Sequence, residues 1–276
     1  MYVAENQRSG VQGFLRKVDL NTGAVTNIPY NLQSLESGSW DVAIAANGKG
    51  MVSTGFEGSG WTPFRELNLA TDTLTQRSDA GSVFGEVRQN THIHRSSDRS
   101  LFFMTESNIS SGPIFTYDAV TNTFPTRNQT NSFHDATVSA INRNGSLIAM
   151  ELNDGISVMD RNFNAVENLA GVNGGLAFDP TRDILYAANS VADELIAYDT
   201  NTWDVLYRRS IGENINDSSP FVSGGMSVSD NGQYLFLSTP AGVRMFNLTG
   251  TGLPESHKVN VGFGQIEQGI NFGNAI

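Results

Sequence analysis

The sequence predicts an all-β chain, a six-bladed β-propeller whose blades are four-stranded antiparallel meanders. Three observations predict it. A strand end with its turn recurs six times, as KVDLNTGAV from Lys17, ELNLATDTL from Glu66, TYDAVTNTF from Thr116, VMDRNFNAV from Val158, AYDTNTWDV from Ala197 and MFNLTGTGL from Met245. The equivalent Asp or Asn falls at Asp19, Asn68, Asp118, Asp160, Asp199 and Asn247, at spacings of 49, 50, 42, 39 and 48 residues, and the return from Asn247 through the C terminus to Asp19 is again 48. Between these turns the apolar runs have strand length and strand composition, bounded by Gly, Pro, Asn and Asp.

The stretch 174–212 shows one unit most clearly. Leu176 and Phe178 alternate with small residues, and Asp179-Pro180-Thr181 breaks the run. Ile184 to Ala188 and Leu195 to Tyr198 are β-rich, and Asp199-Thr200-Asn201-Thr202 turns the chain into Val205-Leu206-Tyr207. Such a meander cannot bury its own faces, so neighbours of the same kind are required. The second strands of the six units read MYVAEN, GMVSTG, LFFMTES, LIAMEL, ILYAAN and YLFLST. Five first strands follow suit: WDVAIAANG, THIHRSSD, TVSAINRNG, GGLAFDPT and GGMSVSDNG. The sixth is absent at the N terminus, where the chain opens directly on Met1-Tyr2-Val3-Ala4, and the C-terminal EQGINFGNAI supplies it. A strand near 269–272, paired beside Met1 to Ala4, is therefore expected to seal the ring, leaving only short, protected sheet edges. The repeats run from end to end, so residues 1–276 read as a single domain.

Composition narrows the function classes. With 17 Lys and Arg against 28 Asp and Glu, the net charge is −11. Nucleic acid and anionic membrane surfaces both need clustered cations, so neither is an expected partner. Zero cysteines exclude a disulfide framework and a thiolate-bound metal. No apolar run is long enough to span a bilayer, and no signal peptide opens the sequence. Met1 at the start of a strand fits a domain excised from a larger protein, or a mature form. No Gly-x-Ser-x-Gly elbow, phosphate loop or dinucleotide fingerprint is present, so no nucleotide cofactor is expected.

Loop lengths divide the disc into a plain face and a rich one. First-to-second turns such as Asn47-Gly48, Asn144-Gly145 and Asn231-Gly232, and third-to-fourth turns such as Asn21-Thr22-Gly23, are tight. On the opposite face lie the second-to-third loops, including 55–64 and 107–113, and the crossovers 30–39, 85–90, 127–134 and 213–223. Function concentrates on long loops held by a rigid scaffold, so a site belongs there, at the mouth of the central channel. The partners this suits are a small molecule, a carbohydrate or a protein.

Candidate residues follow from that placement. At or before the first-strand starts stand the carboxylates Asp135 and Glu267 and the amides Asn90 and Asn173, with Asp41 as a further acid. An oxygen-rich, flexible ring suits Ca²⁺; equally, polar residues line any water-filled channel. His92 and His94 share one side of a strand, because alternation sets i and i+2 together. With His134 or Asp135 they form a candidate transition-metal site or acid–base set, or else a pair of satisfied histidines between blades. Trp40, Trp61 and Phe64 lie on or under the rich face and suit a sugar or peptide, the alternative being that Trp61 and Phe64 fold back over their own blade. Trp203, in a plain-face turn, is expected to pack between blades. The recurring Asp19-type run lacks the acidic residue that ends a calcium loop and reads as a backbone-capping turn.

ILYAANS, IAYDTNTWDV and SDNGQYLFLST together resemble the bacterial YVTN-type and related β-propeller repeats, whose pattern is a DNG or DPT turn, then LYVAN, then YDTNTG. The likeness covers the whole chain and is strongest from 174 to 247. It implies the propeller architecture, and, because acidic, Cys-free, Asn/Thr/Gly-rich propellers are common among bacterial secreted proteins, an extracellular or periplasmic location. The inner ring is also similar to that of six-bladed calcium-dependent lactonases and phosphotriesterase-like hydrolases, whose Glu, Asn and Asp ligands stand at inner strand ends. Their Glu-Gly-Pro is Glu267-Gln268-Gly269 here. Two functions are thus expected, a ligand-binding or interaction module and, alternatively, a calcium-dependent hydrolase at the same mouth.

Overall fold

Every described element is a strand, and every strand pair is antiparallel. The computed structural model describes residues 1–9, 11–80, 86–106, 112–129, 134–152, 155–172, 174–215, 225–249 and 256–259, with backbone alone for 7–9, 134–138 and 256–259. Sheet I holds β1 (Tyr2–Ser9), β2 (Gln12–Val18) and β3 (Val25–Asn31). Next come β4 (Glu36–Ile44), β5 (Lys49–Phe56), β6 (Trp61–Pro63), β7 (Arg65–Asn68), β8 (Thr73–Gln76) and β9 (Glu86–Arg88). Of these, β4-β5-β7-β8 make sheet II, while β6 and β9 pair as a separate ribbon. Sheet III is β10 (Thr91–Arg95), β11 (Leu101–Glu106), β12 (Pro113–Asp118) and β13 (Arg127–Gln129). Sheet IV is β14 (His134–Ile141), β15 (Leu147–Leu152), β16 (Gly155–Asp160) and β17 (Ala165–Ala170). Sheet V is β18 (Leu176–Phe178), β19 (Ile184–Asn189), β20 (Glu194–Asp199) and β21 (Val205–Ser210). Sheet VI is β22 (Met226–Val228), β23 (Tyr234–Thr239), β24 (Gly242–Asn247) and β25 (Ser256–Val259).

Each sheet keeps its strands in sequence order, as a meander must. The five first strands read from the sequence are β4, β10, β14, β18 and β22, and each lies beside the next. The six recurring turns all close in one way: the side-chain oxygen of Asp19, Asn68, Asp118, Asp160, Asp199 and Asn247 accepts the backbone N–H two residues on. That is the Asx-turn capping expected of these residue types.

The core lies between sheets rather than within them. Leu15, Ile28, Val52 and Leu67 join sheets I and II. Ala43, Met51, Phe102 and Tyr117 join II and III, and Leu101, Phe103, Ile148 and Met150 join III and IV. Val158, Leu185 and Ile196 join IV and V, and Tyr186, Leu195, Leu235 and Phe246 join V and VI. Side chains alternate across each strand, so one strand feeds two layers. Trp203 packs into the IV–V layer from its turn, as expected.

On the rich face the strands run further than the sequence suggested. The crossover 30–39 is mostly strand, with β3 reaching Asn31 and β4 starting at Glu36. The loop 55–64 and the crossover 85–90 are joined by the ribbon, in register Trp61↔Arg88, Thr62↔Val87 and Pro63↔Glu86. The sealing strand expected at 269–272 lies outside the described residues, as do Asn173, Glu267 and most of the loops 107–113 and 213–223.

Candidate functional site

The first strands of sheets II and III bring a polar–aromatic cluster together. On β4, Asp41 accepts Val42 N–H at Oδ1 (2.7 Å) and reaches across to accept Ile93 N–H at Oδ2 (2.8 Å). One carboxylate thus stitches β4 to β10. On β10, alternation sends Thr91 and Ile93 into the interior and His92 and His94 to the other side. His92 Nδ1 lies 3.9 Å from Asp41 Oδ2, and Trp40 Nε1–H donates to His92 Nε2 at 3.4 Å. Trp40 meets the His92 ring edge-on at 5.9 Å. His94 stacks beside His92 at 6.3 Å and on Phe103 at 6.2 Å.

The indole N–H thus faces Nε2 of His92, while Nδ1 lies on the side of the Asp41 carboxylate. Burial pushes the Asp41 carboxyl above its ordinary value, opposed by the Ile93 N–H and by the neighbouring imidazole. Trp40 covers the Nε2 side of the ring. Among the described residues no group of three or more His, Asp or Glu side chains is placed to hold a metal ion. Asn90 stands just before β10 at φ 56, with its N–H on Thr54 O (3.1 Å). His134 and Asp135 open β14, paired with Leu152 and Glu151. Their side chains, like Asn173 and Glu267 as a whole, lie outside the described residues.

A second cluster sits on the ribbon. Thr62 and Val87 point inward and are fully buried, whereas Trp61 points outward and is 43% exposed. The Arg88 guanidinium lies 5.7 Å from the Trp61 ring centre. It is held by Glu106 Oε2 (2.8 Å) and Ser59 Oγ (3.0 Å). Burial raises the Glu106 carboxyl, with Arg88 acting against it. Gln89 ties the loop below, its Oε1 accepting Gly60 N–H and its Nε2 donating to Gly58 O. Phe64, by contrast, is fully buried in the II–III layer, edge-on to Phe115 and Phe124. Its ring presents no surface to a ligand.

Sequence reasoning missed the charges that build these loops. Arg65, 5% exposed, forms a bidentate ion pair with Glu36, 1% exposed. Glu36 also accepts Thr54 Oγ1–H (2.7 Å) and Gln33 N–H (2.8 Å). This buried pair fixes the I–II crossover under the rich face. Beside it a groove of about 710 Å³ runs between the edge strands β3 and β8, lined by Tyr30, Asn31, Arg65, Thr73 and Leu74. It opens at the last strands of sheets I and II, away from the cluster on the first strands of sheets II and III.

No protein-family model matches the chain, and no curated protein matches it. Solved structures do. The chain is similar to a chain of the mitotic checkpoint complex crystal structure, at 14% identity and TM-score 0.65, covering 95% of this chain and 76% of that one. It is similar to the β-propeller domain of Cps50 (Swd1) from Myceliophteria thermophila, at 13% identity and TM-score 0.58, covering 83% and 73%. The Dos1 propeller matches at 14% identity and TM-score 0.59, covering 90% of this chain and 65% of that one. Adjacent meanders with cores between them, and these likenesses, make the fold a β-propeller. At such identities the likeness carries the fold and not the activity.

Proposed function

We propose that this chain is a six-bladed propeller, sealed by the strand near 269–272 beside β1, and that it works as a ligand-binding or protein-interaction module. Its working surface is the loop-rich face and channel mouth, with Trp40 and Trp61 as contact residues and an extracellular or periplasmic setting. One observation carries this reading: Trp61 is exposed on a hydrogen-bonded ribbon whose far side is buried, beside an arginine already anchored by Glu106. A rigid aromatic of this kind gives contact area at small ordering cost. The neighbour named for a mitotic checkpoint complex is itself part of an assembly, which agrees with an interaction role.

Glycan and peptide arrays test it. The wild-type chain should bind on one of them, and Trp61→Ala should remove the signal while Asn144→Ala, on the plain face, keeps it. Loss with Asn144→Ala alone, or no signal on either array, overturns the reading.

The second reading keeps Ca²⁺ at the same mouth, with Asp135 and Glu267 as charged ligands and Asn90 and Asn173 as neutral ones, serving lactone or ester hydrolysis. It is favoured by one placement, Asn90 just before β10 and Asp135 on the adjoining first strand β14. Binding to the folded ring alone stabilises by mass action, by about 2.7 kcal/mol at a hundredfold excess over Kd. Melting should then rise in calcium and fall in EDTA, and Asp135→Asn should abolish the difference. Coincident melting curves sink the metal reading. Ring closure has its own check: deleting 267–276 should cost several kcal/mol, as loss of a packed strand does, and an unchanged melting temperature would refute it.

A further inference from the structure

We propose that the outer edge of β8, beside the groove between sheets I and II, pairs with a short, extended, uncharged peptide segment. The site is separate from the loop-face surface, since none of Trp40, Trp61 and Arg88 lines the groove. Two independent observations meet there. The first is the chemistry of the outer strands. A sheet edge is a template for another strand unless proline or charge guards it. Among the last strands of the six described sheets, β3 carries Pro29, β13 Arg127, β17 Glu167, β21 Arg208 and Arg209, and β25 Lys258. The last strand of sheet II, β8, is Thr-Leu-Thr-Gln and carries neither guard. The second is the groove of about 710 Å³, which runs along this strand, with Thr73, Leu74 and Gln76 in its wall.

The register shows which backbone groups face outward. Arg77 N–H donates to Phe64 O at 2.8 Å, in line with the pairs Thr75↔Glu66 and Thr73↔Asn68. Alternation then turns the N–H and C=O of Leu74 away from β7. The facing strand β3 is closed to pairing. By the same alternation, set by Leu32 N–H on Val11 O (2.9 Å), Pro29 and Asn31 face outward there. Pro29 has no N–H to donate, and Asn31 C=O already accepts Arg65 Nη2 at 3.0 Å. Charge sets the character of the guest. Both charged side chains in the groove wall are matched within the protein, Arg65 by Glu36 and Asp72 by Lys17 (2.8 Å) and Tyr2 O–H (3.1 Å). A charged guest would lose hydration without gaining a counter-charge. Half-buried Leu32 and Leu74 offer an apolar contact, and the exposed residues Gln12, Asn31 and Gln33 carry amides that can bond a guest backbone. Strand addition of this kind draws affinity from main-chain hydrogen bonds and specificity from the side-chain positions beside them.

A random-peptide library displayed on phage, panned on the immobilised wild-type chain, supplies the probe. The enriched sequences should be uncharged over their shared core. In hydrogen exchange read by NMR, a synthetic copy of the best should slow the Leu74 amide, while the Thr75 amide, bonded to β7, is slow with or without it. N-methylation of the peptide amide that pairs with Leu74 should weaken binding about tenfold, as loss of one main-chain hydrogen bond does. Thr73→Lys, a charge set at an exposed position on the edge, should weaken binding with unchanged melting, and Trp61→Ala should leave it intact. Failure to enrich any peptide overturns the inference. So do peptides that leave Leu74 exchange unchanged, or that are lost on Trp61→Ala and indifferent to Thr73→Lys; the latter would place the guest on the loop face and support the module reading alone. Slowing of Leu74 that grows with protein concentration in the absence of peptide also overturns it, by showing that the edge pairs with a second copy of this chain.

Discussion

Asp179 shows what a single buried carboxylate does in this fold. Its side chain is fully buried in the first-to-second turn of sheet V. Oδ1 accepts the N–H groups of Thr181 and Arg182, and Oδ2 accepts Arg182 Nη2 at 2.6 Å and Tyr186 O–H at 3.2 Å. Arg182 in turn donates to Gly232 O of sheet VI at 3.0 Å. Burial pushes the Asp179 carboxyl up, but the Arg182 and Thr181 hydrogen bonds outweigh it and hold the group below its usual value. A depressed carboxyl contributes stability above its unfolded value and loses it as pH falls. Asp179→Asn should therefore cost about 2–4 kcal/mol at neutral pH, by leaving the Arg182 and Tyr186 donors poorly matched. That deficit should shrink on acidification below about pH 4. Urea unfolding across that range checks it, and a pH-independent deficit would show that packing, not ionisation, is lost. Phe64 shows what could have been read at this scale. In the repeat register it is equivalent to Leu15, Ile114, Ile156, Leu195 and Val243, of which the first four are at most 2% exposed. That alignment marks a core position, while its place near a Gly-rich loop suggested the surface.

At the scale of elements, strands and turns were legible because each repeats. An Asp or Asn that caps its own turn recurs six times, and strand alternation needs no tertiary knowledge. The ribbon was not legible. Its strands have three residues each, Gly58, Ser59 and Gly60 precede the first, and the partner lies in the next crossover. A pairing that short leaves no periodicity to detect. The Trp40–Asp41–His92 cluster was half legible: alternation put His92 and His94 on one side, but only the meeting of β4 with β10 shows which acid they face. Close backbone approach gives a sharper test. Gly155 opens β16 at φ 136, and an added methyl carbon would lie 2.5 Å from Leu169 O on the paired strand β17. Leu169 O and the next nearest atom, Ala170 Cα at 3.0 Å, are both backbone, so no flexible side-chain end can move aside. Gly155→Ala should thus cost about 2 kcal/mol or more, combining strain with a displaced pairing. Gly23→Ala, with nothing within 4 Å of the added carbon, meets backbone strain alone and should cost less. Equal losses in thermal unfolding would show that φ, not crowding, sets both.

For the whole molecule, the informative fact is that six sheets share five described layers, so no sheet from II to V owns a core. Hydrogen bonds on the plain face repeat the same coupling. Ala46 N–H donates to Arg99 O, Asp98 N–H to Arg143 O, and Arg143 Nη2 to Asp183 Oδ1, each from one sheet to the next. A repeat architecture of this kind is stabilised by nearest-neighbour interfaces more than by its units. Damage to one layer should then lower the stability of all. Ile196 is fully buried in the IV–V layer. Ile196→Ala should cost about 2–5 kcal/mol, as truncations of buried aliphatic side chains do. At about 2–4 °C per kcal/mol for a chain approaching this size, the melting temperature should fall by roughly 4 to 20 °C. The form of the transition matters more than its shift. If the interfaces couple the sheets, circular dichroism and tryptophan fluorescence, both recorded in a Trp203→Phe background, should move together in one transition, although the remaining Trp40 and Trp61 lie two layers away from the substitution. A fluorescence change left at the wild-type temperature while the circular dichroism transition splits would mean that sheets I to III hold together without the IV–V layer.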